Sequence, residues 1–152
     1  MQLKETIPLH GELTITRSDG LVLTRSNVVV QQTIYALLQG FVNVVTTTPV
    51  GSLQIGTGGT SDSAGLIPIQ PSYTQTQLNS YLATLSTTSS NLMVTNNFVT
   101  FTASVSQSQY NGYGISEAGL FTNAGNMFNY TTFPAIQKSS LFGLTFTWNI
   151  GF

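Results

Sequence analysis

The chain has 152 residues and a mass of 16.3 kDa, enough for one domain with a continuous core. Only 6% of it is charged, where soluble domains average roughly 25%, and Thr, Ser, Asn and Gln fill 61 positions instead. A formal net charge of −1 provides no basic surface for nucleic acid or anionic lipid, the lack of cysteine rules out disulfides and thiolate metal sites, and no apolar run approaches the ~20 residues of a membrane span.

A hydrophobic fraction of 41% without excess charge belongs to a folded chain, since disordered chains pair low hydrophobicity with high charge. Six of the charged residues (Lys4, Glu5, Glu12, Arg17, Asp19, Arg25) lie near the start, and only Asp62, Glu117 and Lys138 follow. So bare a surface is poorly defended against association. It suits a secreted or thermally robust β protein, or a subunit covered by its neighbours in an assembly. The N-terminal "MQLKETIPLHGE" has no apolar run of the signal-peptide kind, so the chain is expected to be made in a cytoplasm.

In chain order, "GELTITRSDGLVLTR" reads as a hairpin: Leu13 and Ile15 alternate with polar residues, "SDG" turns, and Leu21 and Leu23 resume the period of two. Val30, Ile34, Leu37, Leu38 and Phe41 then form one helical stripe. With Asn27 placed to cap and Gly40 to terminate, they predict a single short α-helix over about 28–39. "GSLQIGTGG" is a strand running into a glycine turn. Residues 57–76 follow as an irregular loop, of a length that usually contacts a partner or carries function. "YTQTQLNSYLATL" reads as a helical turn or two before a strand. "NLMVTNNFVTFTASVS" and "ISEAGLFTNAGNMFNYTTF" each read as two strands about a turn. "GLTFTWNIGF" alternates throughout, with Leu144, Phe146, Trp148, Ile150 and Phe152 on one face and Thr145, Thr147 and Asn149 on the other. About eight short strands in one domain spanning 1–152 predict a mainly β fold, an antiparallel β-sandwich or jelly roll. The segment 1–10 and the loop 57–76 are its candidate partner-contacting extensions.

Little in the chain points to chemistry. The "IGTGGTSDS" turn lacks the lysine of a P-loop and the spacing of a dinucleotide fingerprint, so its glycines read as φ > 0 loop positions. His10 is the only histidine, at the mouth of the first hairpin, without the spacing of a zinc site or a catalytic triad. Asp62 reads as an ordinary loop residue, and a paired-carboxylate glycosidase has little to build on. No catalytic, cofactor-binding or metal-binding residue is therefore assigned, and the chain is expected to be no enzyme. Among the aromatics, Phe128, Tyr130 and Trp148 read as packing residues. Tyr110 and Tyr113 flank the glycine-containing loop "QSQYNGYG", where an exposed contact with a surface glycan is plausible.

Glu117 is the only acidic residue after Asp62. Strand parity in "ISEAGLF" places Ile115, Glu117, Gly119 and Phe121 on one face, expected to look toward the core. A buried carboxylate needs backbone N–H donors or a cation, and Lys138, Arg17 and Arg25 are the cations at hand. Glu117 is thus expected to pin a loop or strand crossing.

The segments "ISEAGLF" (115–121), "FPAIQK" (133–138) and "LTFTWNI" (144–150), with "GELTI", "SNVVV" and "IGTGGT" in order before them, resemble a group of small β-rich structural proteins of tailed bacteriophages. The loop 57–76, with its "GLIPIQP", is longer here than in that group. The resemblance implies a virion component of the head surface, head fibre or tail. Its expected partners are other virion proteins and further copies of itself, with a capsid decoration or cement role favoured because the chain has neither heptads nor a fibre repeat.

Overall fold

A computed structural model describes residues 9–34, 50–89 and 98–151. The described residues form ten strands: β1 His10–Arg17, β2 Val22–Ser26, β3 Val28–Val29, β4 Val50–Gly56, β5 Tyr81–Ser86, β6 Thr88–Ser89, β7 Phe98–Val105, β8 Gly114–Thr122, β9 Met127–Gln137 and β10 Leu144–Gly151. They make two antiparallel five-stranded sheets, ordered β2-β1-β10-β7-β6 and β3-β9-β8-β4-β5. The fold is the expected mainly β, antiparallel sandwich.

Alternation decides which side of each strand is buried. In the first sheet Leu13, Ile15, Phe101, Phe146, Trp148 and Ile150 turn inward, onto Leu53, Ile55, Leu85, Ile115, Leu120 and Phe133 of the second. Each large side chain so buried contributes about 1.5–3 kcal/mol. Most outward side chains of the first sheet are hydroxyl-bearing, with His10, Glu12, Val22, Phe98 and Asn149 the exceptions. Thr24, Thr14, Thr147, Thr102 and Thr88 stand opposite one another in a single row across all five strands. The next row holds Val22, Thr16, Thr145 and Ser104. β-Branched threonine suits a pleated, half-buried surface, so this face is regular and carries no charge along those two rows.

The sandwich is joined at both edges. β2 ends at Ser26 in the first sheet and β3 begins at Val28 in the second, with Asn27 alone at the corner. β5 passes into β6 through Thr87 in the same way. Strands that bend from one sheet into the other make the corners of such packings. Asn27 occupies its corner by accepting a hydrogen bond from the buried Trp148 Nε1 at 3.2 Å.

The expected helix is corrected by this corner. Val28 and Val29 pair with Tyr130 and Asn129 as a strand, and helical geometry among the described residues is confined to 31–34. Residues 35–41, with Leu37, Leu38, Gly40 and Phe41 of the anticipated stripe, lie outside the described residues. The β-branched run Val28-Val29-Val30 fits a strand better than a helix start, and the free edge of β9 supplies the partner. "YTQTQLNS" forms turns and bends with no helix, and β5 follows from Tyr81. The first of the two strands expected in "NLMVTNNFVTFTASVS" lies outside the described residues, whereas both hairpins about "SDG" and "NAGN" are present.

The corner is testable. Asn27→Ala leaves the indole N–H of Trp148 buried without an acceptor, and is expected to lower the unfolding free energy by about 1–3 kcal/mol in chemical denaturation. An unchanged midpoint would refute this role for Asn27.

Candidate functional site

The second sheet has an outer face of its own, covered by the long loop between β4 and β5. Val30, Leu78, Phe121, Met127 and Tyr130 form a small apolar cluster there, separate from the inter-sheet core. The register of β8 against β9 shifts between Ile115 and Glu117, an irregularity that leaves Ser116 of β8 and residues 133–135 of β9 out of the ladder. The shift changes the parity: Ile115 stays in the main core with Ala118 and Leu120, while Ser116 and Glu117 both reach the loop. Glu117 therefore does not share the face of Ile115, contrary to simple alternation.

Glu117 is fully buried. Its Oε1 accepts from the Gly58 and Ser80 backbone N–H groups at 3.0 and 2.7 Å. Its Oε2 accepts from the Asn79 N–H at 2.9 Å and from the Tyr130 hydroxyl at 2.7 Å. Ser116 adds a fifth anchor, its Oγ accepting from the Gly59 N–H at 2.9 Å. The loop is thereby held at both ends, at 58–59 and at 79–80. Asn79 closes the arrangement, its amide donating to the Gly58 carbonyl and to the Tyr130 oxygen.

Among the described residues no cation takes part. Arg17 pairs with Asp19 and lies 3.8 Å above the Phe142 ring, while the Nε of Arg25 is buried without a hydrogen-bond partner. Lys138 is 2% exposed and holds a different loop: its Nζ donates to the Gln107 carbonyl, Asn111 Oδ1 and the Ser139 carbonyl at 3.2, 2.8 and 2.7 Å. Burial lowers the Lys138 pKa from its usual value. Two buried charges of opposite sign are thus each satisfied by the neutral dipoles of a loop, and Lys138 is not the partner expected for Glu117.

The glycines also have a different reason from the one their sequence suggests. Gly58 and Gly59 are absent from the positive-φ residues, which include Gly20, Gly65, Gly112 and Gly125. They are glycines because of close approach: a Cβ on Gly59 would strike the Ser116 carbonyl, and one on Gly56 would strike the Glu117 carboxylate and the Ser80 carbonyl. Tyr130, Asn79, Ser80 and Ser116 were not singled out from the sequence as parts of this site. The only signal was the pairing of two glycine-containing stretches, "IGTGG" and "SEAG", and nothing in the sequence says that they meet.

Past Gly59 the loop is firmly built. Asp62 is its organiser: its carboxylate accepts from the Leu66 and Ile67 N–H groups at 2.7–3.1 Å, and these bonds lower its pKa below the usual value. Thr60 bridges to Pro68, Ile69 N donates to the Gly59 carbonyl at 2.8 Å, and the loop is tied to β9 by Ala135 N–H to the Gly65 carbonyl at 2.7 Å.

The remaining candidates are not brought together. His10 lies on the first sheet beside Glu12, Phe98, Asn149 and Gly151, around a shallow cleft of about 250 Å³. Among the described residues no three His, Asp or Glu side chains cluster as metal ligands do. Phe128 is partly buried, and Tyr130 and Trp148 are buried, as expected of packing residues. Tyr110 packs against the core with φ 53°, whereas Tyr113 is 50% exposed on the loop that Lys138 holds. No family model matches the chain, and no curated protein or solved structure does so either.

Two expectations follow. Glu117→Ala orphans three backbone N–H groups and a hydroxyl, and is expected to destabilise the fold by about 3 kcal/mol, with Glu117→Gln in between because it keeps one acceptor oxygen. An unchanged melting temperature in the alanine variant would refute the pin. Tyr130 is predicted to ionise well above its ordinary value of 10.0, because burial removes water and the Glu117 carboxylate it serves opposes a second negative charge. Its contribution to stability is complete below pH 10.0 and is lost as pH rises beyond that value. Phenolate absorbance should show one tyrosine silent until alkaline unfolding, and Tyr130→Phe should remove that late step. A Tyr130 that titrates together with the exposed tyrosines would contradict the assignment.

Proposed function

We propose that the chain is a non-enzymatic structural subunit of a tailed-phage virion, most specifically a capsid decoration or cement protein that stabilises the particle through contacts with neighbouring subunits. The observation carrying this reading is the use of charge. Of the nine charged residues, Glu117 and Lys138 are buried to fix loops, while the outer face of the first sheet bears rows of threonine. Neutral hydroxyls and methyls lose water at far lower cost than charges, so such a face suits burial in an assembly. The virion class itself rests on the resemblance of the 115–150 segments.

A second reading, a glycan- or host-binding component of a tail or head appendage, is supported by Tyr113, half exposed on a loop that Lys138 holds. An exposed aromatic ring on a rigid loop is what sugar stacking requires.

The primary test is the position and copy number of the chain in purified particles. A fixed stoichiometric copy number on the capsid, with particles lacking the chain releasing their genome at lower temperature, is the expected result. Absence from the particle would overturn the reading. A glycan array on which binding is lost with Tyr113→Ala would favour the second reading over the first.

A further inference from the structure

The corner between β2 and β3 gathers buried polar atoms that no other group bonds. Among the described residues five buried side-chain atoms have no hydrogen-bond partner, and four of them are Arg25 Nε, Asn27 Nδ2 and the Nδ2 and Oδ1 of Asn129. Asn129 is fully buried and stands opposite the core residue Leu120 in the β8–β9 ladder, so its amide faces the space between the sheets. Asn27 reaches that space from the first sheet, to which its own N–H is tied by the Gly11 carbonyl at 3.2 Å. Its Oδ1 is occupied by the Trp148 indole, which fixes the amide and leaves Nδ2 as the unused donor. The two amides meet over Gly11: the point at which a Gly11 Cβ would stand is 2.1 Å from Asn27 Oδ1 and 3.0 Å from Asn129 Nδ2. They nevertheless do not bond to each other. Arg25, opposite Leu13 on the inward side of β2, adds a third buried donor two residues before the corner.

We propose that this corner is a binding site for ordered internal water, which bridges the Asn27 and Asn129 amides and through them joins the two sheets. A buried amide bonded at neither end is among the costlier features a fold can carry, and folds pair such groups with protein or with water. At Asn129 the chain supplies no partner, so the partner is solvent. The balance of donors and acceptors selects the ligand. Asn129 presents both an N–H donor and a carbonyl acceptor, and Asn27 presents a donor. An anion would satisfy the N–H groups alone, and a cation would satisfy Asn129 Oδ1 alone. Water both donates and accepts, and an internal water typically makes about three such bonds. Gly11 belongs to the same arrangement, since a side chain there would push Asn27 out of its place and take the acceptor of Trp148 with it. This inference concerns how the sheets are joined and is independent of the virion reading.

The experiment is water-selective NOE and ROE spectroscopy of the full chain labelled with nitrogen-15. The side-chain amide protons of Asn27 and Asn129 are expected to show contacts to water with NOE and ROE of opposite sign, the mark of water held in the protein and not passing over it. Amide protons without such contacts in the wild type overturn the site. Amide shifts that follow the chloride concentration instead give the site to an ion and overturn the choice of water. Two variants separate bound water from a merely polar core. Asn129→Ser keeps a polar group and leaves room, so the Asn27 amide is expected to retain its water contact. Asn129→Leu displaces the water and strands Asn27 Nδ2, so that contact is expected to vanish and the melting temperature to fall. A dry corner behaves in the opposite way, because an apolar side chain would then relieve an unbonded amide. A melting temperature that stays level or rises in Asn129→Leu therefore overturns the proposal.

Discussion

The loop over the outer side of the second sheet depends on one carboxylate that, among the described residues, is buried without a cation. Removing Glu117 from water is costly, and among the described residues no positive charge offsets it. Four directed donors do so instead, three of them backbone N–H groups from the two ends of one loop. That requirement propagates outward. The loop must approach closely enough for its N–H groups to reach the carboxylate, so positions 56, 58 and 59 are glycine. The donors must come from two stretches of chain, so the loop closes over its own base. The register shift at 115–117 belongs to the same geometry, since without it Glu117 would point with Ile115 into an apolar core that offers no donors.

Lys138 repeats the solution with the sign reversed. Its ammonium is satisfied by two carbonyls and an amide oxygen around the 106–113 loop, and the Phe142 ring lies 5.5 Å from it. The two charges could in principle have neutralised each other. Holding them apart gives the fold two separate anchors, each converting a stretch of polar, glycine-containing chain into a fixed surface. A sequence with so few charges gains rigidity from each of these without exposing them.

The result is a sandwich joined at two corners, with distinct surfaces: a threonine-rich face on the first sheet, and a firmly held loop with apolar residues at its tip beside a cleft. The corners at Asn27 and Thr87 carry the chain from an edge of one sheet to the adjacent edge of the other.

Much of this was legible in the sequence for a local reason. Alternation in "LTITR" and "LTFTWNI" fixes which side chains face in, and "SDG" and "NAGN" fix two turns, because period and turn chemistry act between neighbouring residues. The absence of charge from the threonine rows is equally a property of composition, whereas the reading of Glu117 as a pin rested on a strand parity that the register shift at 115–117 overturns. What the sequence could not determine depends on residues distant in the chain. Gly58 and Asn79 meet Glu117 from 59 and 38 positions away. The helix expected from residue 28 gives way to a strand because β9 offers Val28 and Val29 an edge. The choice between a cation and backbone dipoles for Glu117, and between positive φ and close approach for Gly58 and Gly59, was likewise settled only by packing. Both depend on how the loop packs over the register shift at 115–117, which no local pattern encodes.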